Sequence, residues 1–382
     1  MDNDSFFQFL QTSIFQLTNK PGISLTECLS NFHKLLPEME KRKLFVGVII
    51  VGTVLLSSFS LYIYQILYTP NLLVDQDDRF LYIPSDATFT DLQKHIYDNH
   101  YVNDPVSFSF IARLMKYDHN IKPGKYLIKG NSTNVSVIRM LRAGEQIPVN
   151  ITFSNVRLLK DLPEIICGNL QLKPATFATL ILDPETSSQN GFTSETFPCM
   201  FIPNTYEVYW NITAKQLLDR MDQEYNRFWN ESRRNKANKI DLSPVEVSIL
   251  ASIVQAESRH YDESPVIAGL YLNRLKKGIP LQADPTVVFA VGDFTIQRVL
   301  NKHIEIDSPY NTYKHAGLPP GPINFPSIKS IDAVLNYKSH RYLYMCAKED
   351  FSGYHSFAKT LREHNNNARK YRQALNKAGL YK

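Results

Sequence analysis

The chain has 382 residues, 43% of them hydrophobic and 12% aromatic, with a formal net charge of +5. That is enough apolar material for sizeable cores, and the modest, scattered charge, with no Lys/Arg-rich stripe interleaved with aromatics, argues against nucleic-acid binding. No CxxC or His/Cys cluster points to a metal, so neither metal nor cofactor is expected.

In chain order, residues 1–43 read as a cytoplasmic N-terminal segment, locally amphipathic around Phe6 to Leu17 and Leu25 to Leu36. From Leu44 to Leu67 no charge interrupts about 24 residues, which at roughly 1.5 Å per residue exceeds the ~30 Å hydrocarbon core. This predicts one transmembrane helix; the alternatives are a buried core helix and a cleavable signal, whose apolar region is shorter. Lys41-Arg42-Lys43 precedes the span and Asp75, Asp77 and Asp78 follow it, so the positive-inside bias puts the following residues outside the cytoplasm. Cys28 then lies on the cytoplasmic side and Cys167, Cys199 and Cys346 outside, with pairing of Cys167 and Cys199 left open.

Beyond the span, Phe80–Ile83 reads as a strand, Phe89–Tyr101 and Val106–Lys116 as helices, and Ile121-Lys-Pro-Gly-Lys-Tyr-Leu-Ile128 as a turn leading into a strand. This strand, helix, helix, strand order over 79–145 resembles a LysM-type carbohydrate-binding module, with a purely spacing role as the alternative. Residues 135–142 suit a helix, 149–153 a strand, and 158–167 and 173–182 helices. The expected fold class is α+β: the membrane helix, the LysM-like module, and a mixed α/β catalytic region over 146–382.

Ser243-Pro244-Val245-Glu246 is a helix start, with Ser as N-cap, Pro at the first helical position and Glu completing a capping box. Leu250, Ile253 and Val254 stand seven, four and three residues before Glu257, so the four share one side of that helix. A carboxyl held among aliphatic side chains resists ionisation and can serve as a general acid near neutral pH. The competing reading is a structural Glu257 paired with Arg259 or Arg274.

The run Ile249-Leu-Ala-Ser-Ile-Val-Gln-Ala-Glu257 is followed by Val266-Ile-Ala-Gly-Leu-Tyr-Leu-Asn-Arg-Leu275 and Leu281-Gln-Ala-Asp-Pro-Thr-Val-Val288. Then come Ser308-Pro-Tyr-Asn-Thr-Tyr313, Gly317-Leu-Pro-Pro-Gly-Pro-Ile323 and Tyr354-His-Ser-Phe-Ala-Lys-Thr-Leu-Arg-Glu-His-Asn365. In this order the blocks closely resemble the MltG-type (YceG-like) endolytic murein transglycosylases, most strongly over 249–365. Relatives commonly carry Asp where Phe201-Ile-Pro-Asn-Thr-Tyr206 has Asn204, and many carry Glu at Gln255. Restoring either is expected to leave turnover within about tenfold, roughly 1.4 kcal/mol in the barrier.

The resemblance implies lytic cleavage of the MurNAc-β-1,4-GlcNAc bond of peptidoglycan glycan strands, with Glu257 as the catalytic acid and 1,6-anhydro ends as products. It carries over Gln282, Asp284, Thr286, Tyr310, Asn311, Thr312, Asn204 and His355 as substrate-binding candidates, a structural role for each being the alternative. Asn273 and Arg274 are expected to hold Glu257 in place, and Gly317–Pro322 to form a rigid loop at the cleft edge. Implied partners are the glycan, the bacterial inner membrane and the cell-wall synthesis machinery. Two alternative functions stay open: a hydrolytic muramidase using Asp284 or Glu207 as second carboxylate, and a non-catalytic cell-wall scaffold.

Overall fold

The computed structural model describes residues 38–258 and 260–379; the amphipathic stretches near Phe6 and Leu25, Cys28 and Arg259 lie outside them. Helix α1 (Glu38–Tyr68) contains the expected span, and Lys41–Tyr68 is long and apolar enough to cross a bilayer. Then follow β1 (Pro70–Leu72), β2 (Arg79–Ile83), α2 (Phe89–Asp98), α3 (Pro105–Leu114), β3 (Gly124–Ile128), β4 (Ser132–Thr133), α4 (Asn134–Ala143) and β5 (Val149–Thr152). The remainder is mainly helical: α5 (Leu162–Cys167), α6 (Pro174–Ile181), α7 (Pro184–Gln189), β6 (Thr205–Val208), α8 (Ala214–Phe228), α9 (Glu231–Asn238), α10 (Pro244–Glu257) and α11 (Ser264–Lys276). It closes with α12 (Asp284–Val291), α13 (Asn301–Ile304), α14 (Ile328–Leu335), β7 (Tyr344–Ala347), β8 (His355–Ala358) and α15 (Leu361–Lys377).

The chain forms two compact units. Described residues up to Asp77, with Gln93–His119 and Lys129–Arg139, make the first. Here β1 pairs antiparallel with β4, and Leu72, Leu73, Phe108, Ile111 and Ile138 are buried. A buried polar knot ties this unit together at the C-terminal end of α1. The Asn71 amide donates to Asn134 Oδ1 at 2.8 Å, and the Asn134 amide donates to the Ile66 carbonyl at 3.2 Å and to Ser107 Oγ at 3.1 Å. Each donor buried there has an acceptor, so the knot fixes the first residues after α1 without an unsatisfied amide.

The second unit comprises Asp78–Leu92, Asn120–Ile128 and the chain from Met140 onward. β2 pairs antiparallel with β3 in the register Leu81↔Tyr126, so the expected strands and intervening helices exist, while the unit boundaries run through the 79–145 stretch. β5 pairs with β6 and β7 with β8, so the described strands form two-stranded sheets only. A single apolar core runs from Val149 to Leu335 and includes Trp229, Tyr271 and Phe325. Cys167, Cys199 and Cys346 carry free thiols, which resolves the question of a Cys167–Cys199 bridge.

Candidate functional site

Helix α10 starts as its sequence requires. Ser243 Oγ accepts the Glu246 N–H at 3.2 Å, and Glu246 Oε2 accepts the Ser243 N–H at 2.7 Å. The helix is more central than a one-sided apolar stripe implies, because every residue from Val247 to Val254 is buried. It packs against α11, α12 and α14. Its last residue is Glu257, after which Ser258 turns to an extended backbone. The acid therefore sits at the carboxyl end of a core helix, where the helix dipole also disfavours a negative charge.

The Glu257 carboxyl is enclosed by protein although an edge of the residue remains accessible. Burial, opposed by a hydrogen bond from Tyr271 and reinforced by the nearby Asp284 charge, pushes its pKa up to about 7. Tyr271 Oη donates to Glu257 Oε1 at 2.5 Å. Burial and the adjacent carboxylate hold the Tyr271 hydroxyl well above its ordinary value, so it remains a donor. No described cation pairs with Glu257. Arg274 instead donates to the carbonyls of Pro280 at 2.9 Å and Leu343 at 2.8 Å and to Gln282 Oε1 at 2.5 Å. Asn273 donates to the carbonyls of His340 and Tyr342. Asn273 thus acts on the approach to β7 and Arg274 on both that approach and the 280–282 loop, while Tyr271 is the described residue that bonds to the acid.

Two cavities meet at Glu257. One, of about 600 Å³, is walled by Phe289, Phe294, Ile323, Asn155, Arg157 and Asn324 among others. The second, of about 400 Å³, is walled by Tyr271, Gln282, Tyr313, Tyr344, Cys346 and His355 among others. Glu257 and Asp284 are the residues common to both. Each volume lies in the range of ligand sites, ~300–1,000 Å³. Asp284 opens α12 with Pro285 in its first turn, where a proline is compatible with a helix start. Tyr313 Oη donates to Asp284 Oδ1 at 2.6 Å.

The candidate residues separate by environment. Gln282, Asp284 and His355 line the second cavity together with Glu257. Gln282 has φ of 52°, an uncommon conformation for a non-glycine residue, held by Arg274 and by its N–H donating to the Thr312 carbonyl at 3.0 Å. His355 Nδ1 lies 2.8 Å from Oε2 of the buried Glu263, whose Oε1 accepts the His355 N–H at 2.8 Å. Thr286, Asn311 and Thr312 are fully buried and satisfied internally. Thr286 Oγ1 lies 2.8 Å from Thr312 Oγ1, and the Asn311 amide donates to Ile304 and Ile306 carbonyls. These three tie the start of α12 to the 311–312 loop and that loop to the 304–306 backbone. Tyr310 packs on Phe289 with ring centroids 4.8 Å apart, and neither it nor Asn204 lines the two cavities. Glu207 lines a separate depression of about 430 Å³ beside Tyr209 and Arg220.

The expected proline-rich loop also has a steric basis. A Cβ on Gly321 would stand 2.1 Å from the Glu195 carbonyl oxygen, so only glycine fits that approach. Tyr271 and Tyr313 are absent from the sequence-derived candidates. Both stand inside the quoted blocks, but only packing reveals that their hydroxyls reach the two carboxylates.

Gln255 is fully used within the fold. Its amide donates to Asn324 Oδ1 at 3.1 Å and to the Phe325 carbonyl at 3.3 Å, while its Oε1 accepts from Ser327 N at 2.7 Å and Ser330 Oγ at 2.9 Å. A carboxylate there would face the Phe325 carbonyl with no proton to offer. The tolerance expected for Gln255→Glu therefore does not extend to stability. The variant should lose about 1–3 kcal/mol, read as a lowered denaturant midpoint with a deficit larger at pH 8 than at pH 4. An unchanged midpoint at pH 8 would show that Asn324 and Phe325 do not constrain this position.

Comparison with known proteins adds three observations. A family model described as the YceG-like family matches residues 81–370. An endolytic murein transglycosylase of Bacillus subtilis (strain 168) is 37% identical over 180 residues, covering 47% of this chain and 48% of that protein. One from Streptococcus pneumoniae serotype 2 (strain D39) is 24% identical over 343 residues, covering 80% of this chain and 61% of that protein. The chain thus spans from about half to about three fifths of the length of these relatives. A yceG-like protein of Listeria monocytogenes, solved by crystallography, superposes with a TM-score of 0.51 at 26% identity, covering 76% of this chain and 98% of that one.

Proposed function

We propose that this chain, which belongs to the YceG-like family, is a membrane-anchored lytic transglycosylase that cuts peptidoglycan glycan strands and leaves 1,6-anhydro-MurNAc ends. The observation that carries this reading is a single enclosed carboxyl, Glu257, at the junction of two cavities. An acid that lines both cavities would let a polymer extend to either side of it. That supports cleavage within strands.

Glu257 enters the reaction protonated and gives its proton to the glycosidic oxygen as the C1–O bond breaks through an oxocarbenium-like state. The MurNAc C6 hydroxyl closes on C1, and its proton returns to the Glu257 carboxylate, so acid is regenerated and no water is consumed. Because the nucleophile is tethered to the reacting ring, its effective concentration is high and a second protein nucleophile is unnecessary. Tyr271 supports the carboxylate in the interval when the proton is away. Gln282, Asp284 and His355 are the sugar contacts we assign, and the LysM-like stretch is assigned as a further glycan contact.

A hydrolytic reading draws on one observation, the presence of Asp284 in both cavities with Glu257. Asp284 would then activate water. Digestion of uncrosslinked glycan by the full-length protein separates the two, since lytic ends are lighter than hydrolytic ends by one water. With the acid near 7, the rate should be level in mild acid and fall as pH rises through about 7. Reducing-end products carrying the added water would replace the lytic reading with the hydrolytic one, and absence of any cleavage would leave a scaffold.

We further assign an inner-membrane location with the N-terminus cytoplasmic, from the Lys41-Arg42-Lys43 cluster ahead of the span. Newly made strands, and the synthases that extend them, would be the enzyme's neighbours there.

A further inference from the structure

Helix α3 presents apolar side chains on both of its faces. Phe108, Ile111 and Ala112 are buried in the first unit, while Val106, Phe110 and Leu114 are 74%, 50% and 64% exposed. These three recur every fourth residue and form one outward stripe. A helix that is apolar all round normally lies in a protein core or in lipid. Nothing else in the described unit covers this stripe, yet its starting point is fixed close to the membrane-spanning helix. Ser107, the neighbour of Val106, accepts a hydrogen bond from the same Asn134 amide that donates to the Ile66 carbonyl, at 3.1 and 3.2 Å. Ile66 lies in the last turn of α1, amid the exposed rings of Tyr62, Tyr64 and Tyr68, the aromatic composition found where a span leaves the hydrocarbon. Arg113, exposed next to Leu114, and Lys116, exposed just past the helix end, are suited to anionic headgroups.

We propose that the Val106–Phe110–Leu114 stripe of α3 lies in the bilayer interface, so that the first unit is held on the membrane surface by this helix as well as by the span. The inference rests on α1 crossing a bilayer and is independent of the catalytic assignment. It makes the polar knot of Asn71, Ser107 and Asn134 a rigid joint that sets the height of α3 relative to the end of the span.

The test is quenching by brominated acyl chains of full-length Phe110→Trp reconstituted in vesicles containing phosphatidylglycerol. The unsubstituted protein gives the background of Trp210 and Trp229. A ring buried ~5–10 Å below the headgroups should lose about half of its added emission. Introducing Val106→Asp and Leu114→Asp into the same variant should remove that quenching while the protein still floats with the vesicles. Unquenched emission from the introduced indole, in a Phe110→Trp protein that floats with vesicles, would overturn the interfacial stripe. Failure to float would overturn the spanning reading of α1 and the proposal with it.

Discussion

Glu257→Gln is expected to lower production of anhydro ends by ~10² to 10⁴, the usual loss on removing a general acid, while glycan binding and the fold persist. The amide can still accept the Tyr271 hydroxyl and matches the carboxyl in size, so the packing at the end of α10 has no reason to change. Stability should move in the opposite direction from activity, and only at high pH. The folded-state pKa of about 7 stands above the ordinary value of 4.5, so the native protein holds a proton that the unfolded chain releases. Folding stability therefore declines as pH rises from about 4.5 through 7, and the full deficit is up to about 3 kcal/mol. Glutamine carries no charge at any pH and escapes that loss. Denaturant titrations at pH 4 and pH 8 should show the variant close to the original protein at pH 4 and more stable at pH 8. Near-normal release of anhydro ends by the folded variant would remove Glu257 from the reaction. Equal stabilities at pH 8 would mean that its carboxyl is not held protonated by burial.

The sequence carried those features that depend on neighbours along the chain. The capping box at Ser243, the uncharged run from Leu44 and the alternation around Leu81 are local, and each appears as an element close to where it is read. What depends on packing was less legible. Nothing in the spacing of Leu250, Ile253 and Val254 reveals that Ser248 and Ser252 on other sides of the helix are also buried, which makes α10 a central helix instead of an amphipathic one. Ser252 is accommodated because its hydroxyl bonds to the Ile249 carbonyl and accepts the Ile323 N–H.

Polar residues near the cleft were ambiguous for the same reason. Thr286 and Thr312 look like sugar contacts in a turn-rich segment, yet they bond to each other across 26 positions and to the backbone at Ala283. Gln282 belongs to the same block as Thr286, but it faces the cavity, because the left-handed backbone there turns its side chain toward Arg274. The matched blocks identify the neighbourhood, and hydrogen bonding decides which members of a block reach the cleft.

Tyr271→Phe tests whether the enclosed acid is tuned by the hydroxyl that donates to it. Removing the hydroxyl takes away a bond to a charged acceptor, worth about 1.5–3 kcal/mol, from the ionised form of Glu257 and leaves burial unopposed. The carboxyl should then hold its proton to higher pH, moving the falling limb of the rate profile up by about one pH unit or more. The plateau rate should fall by at least about tenfold, because the conjugate base formed during bond breaking has lost its support. Phenylalanine keeps the ring in the core, where Tyr271 is only 2% exposed, so the fold should tolerate the change. A residue that merely filled space would lower the rate without moving the limb. A profile displaced to lower pH, or one that stays at the original pH in a folded Tyr271→Phe protein, would mean that some other group sets the protonation of the acid.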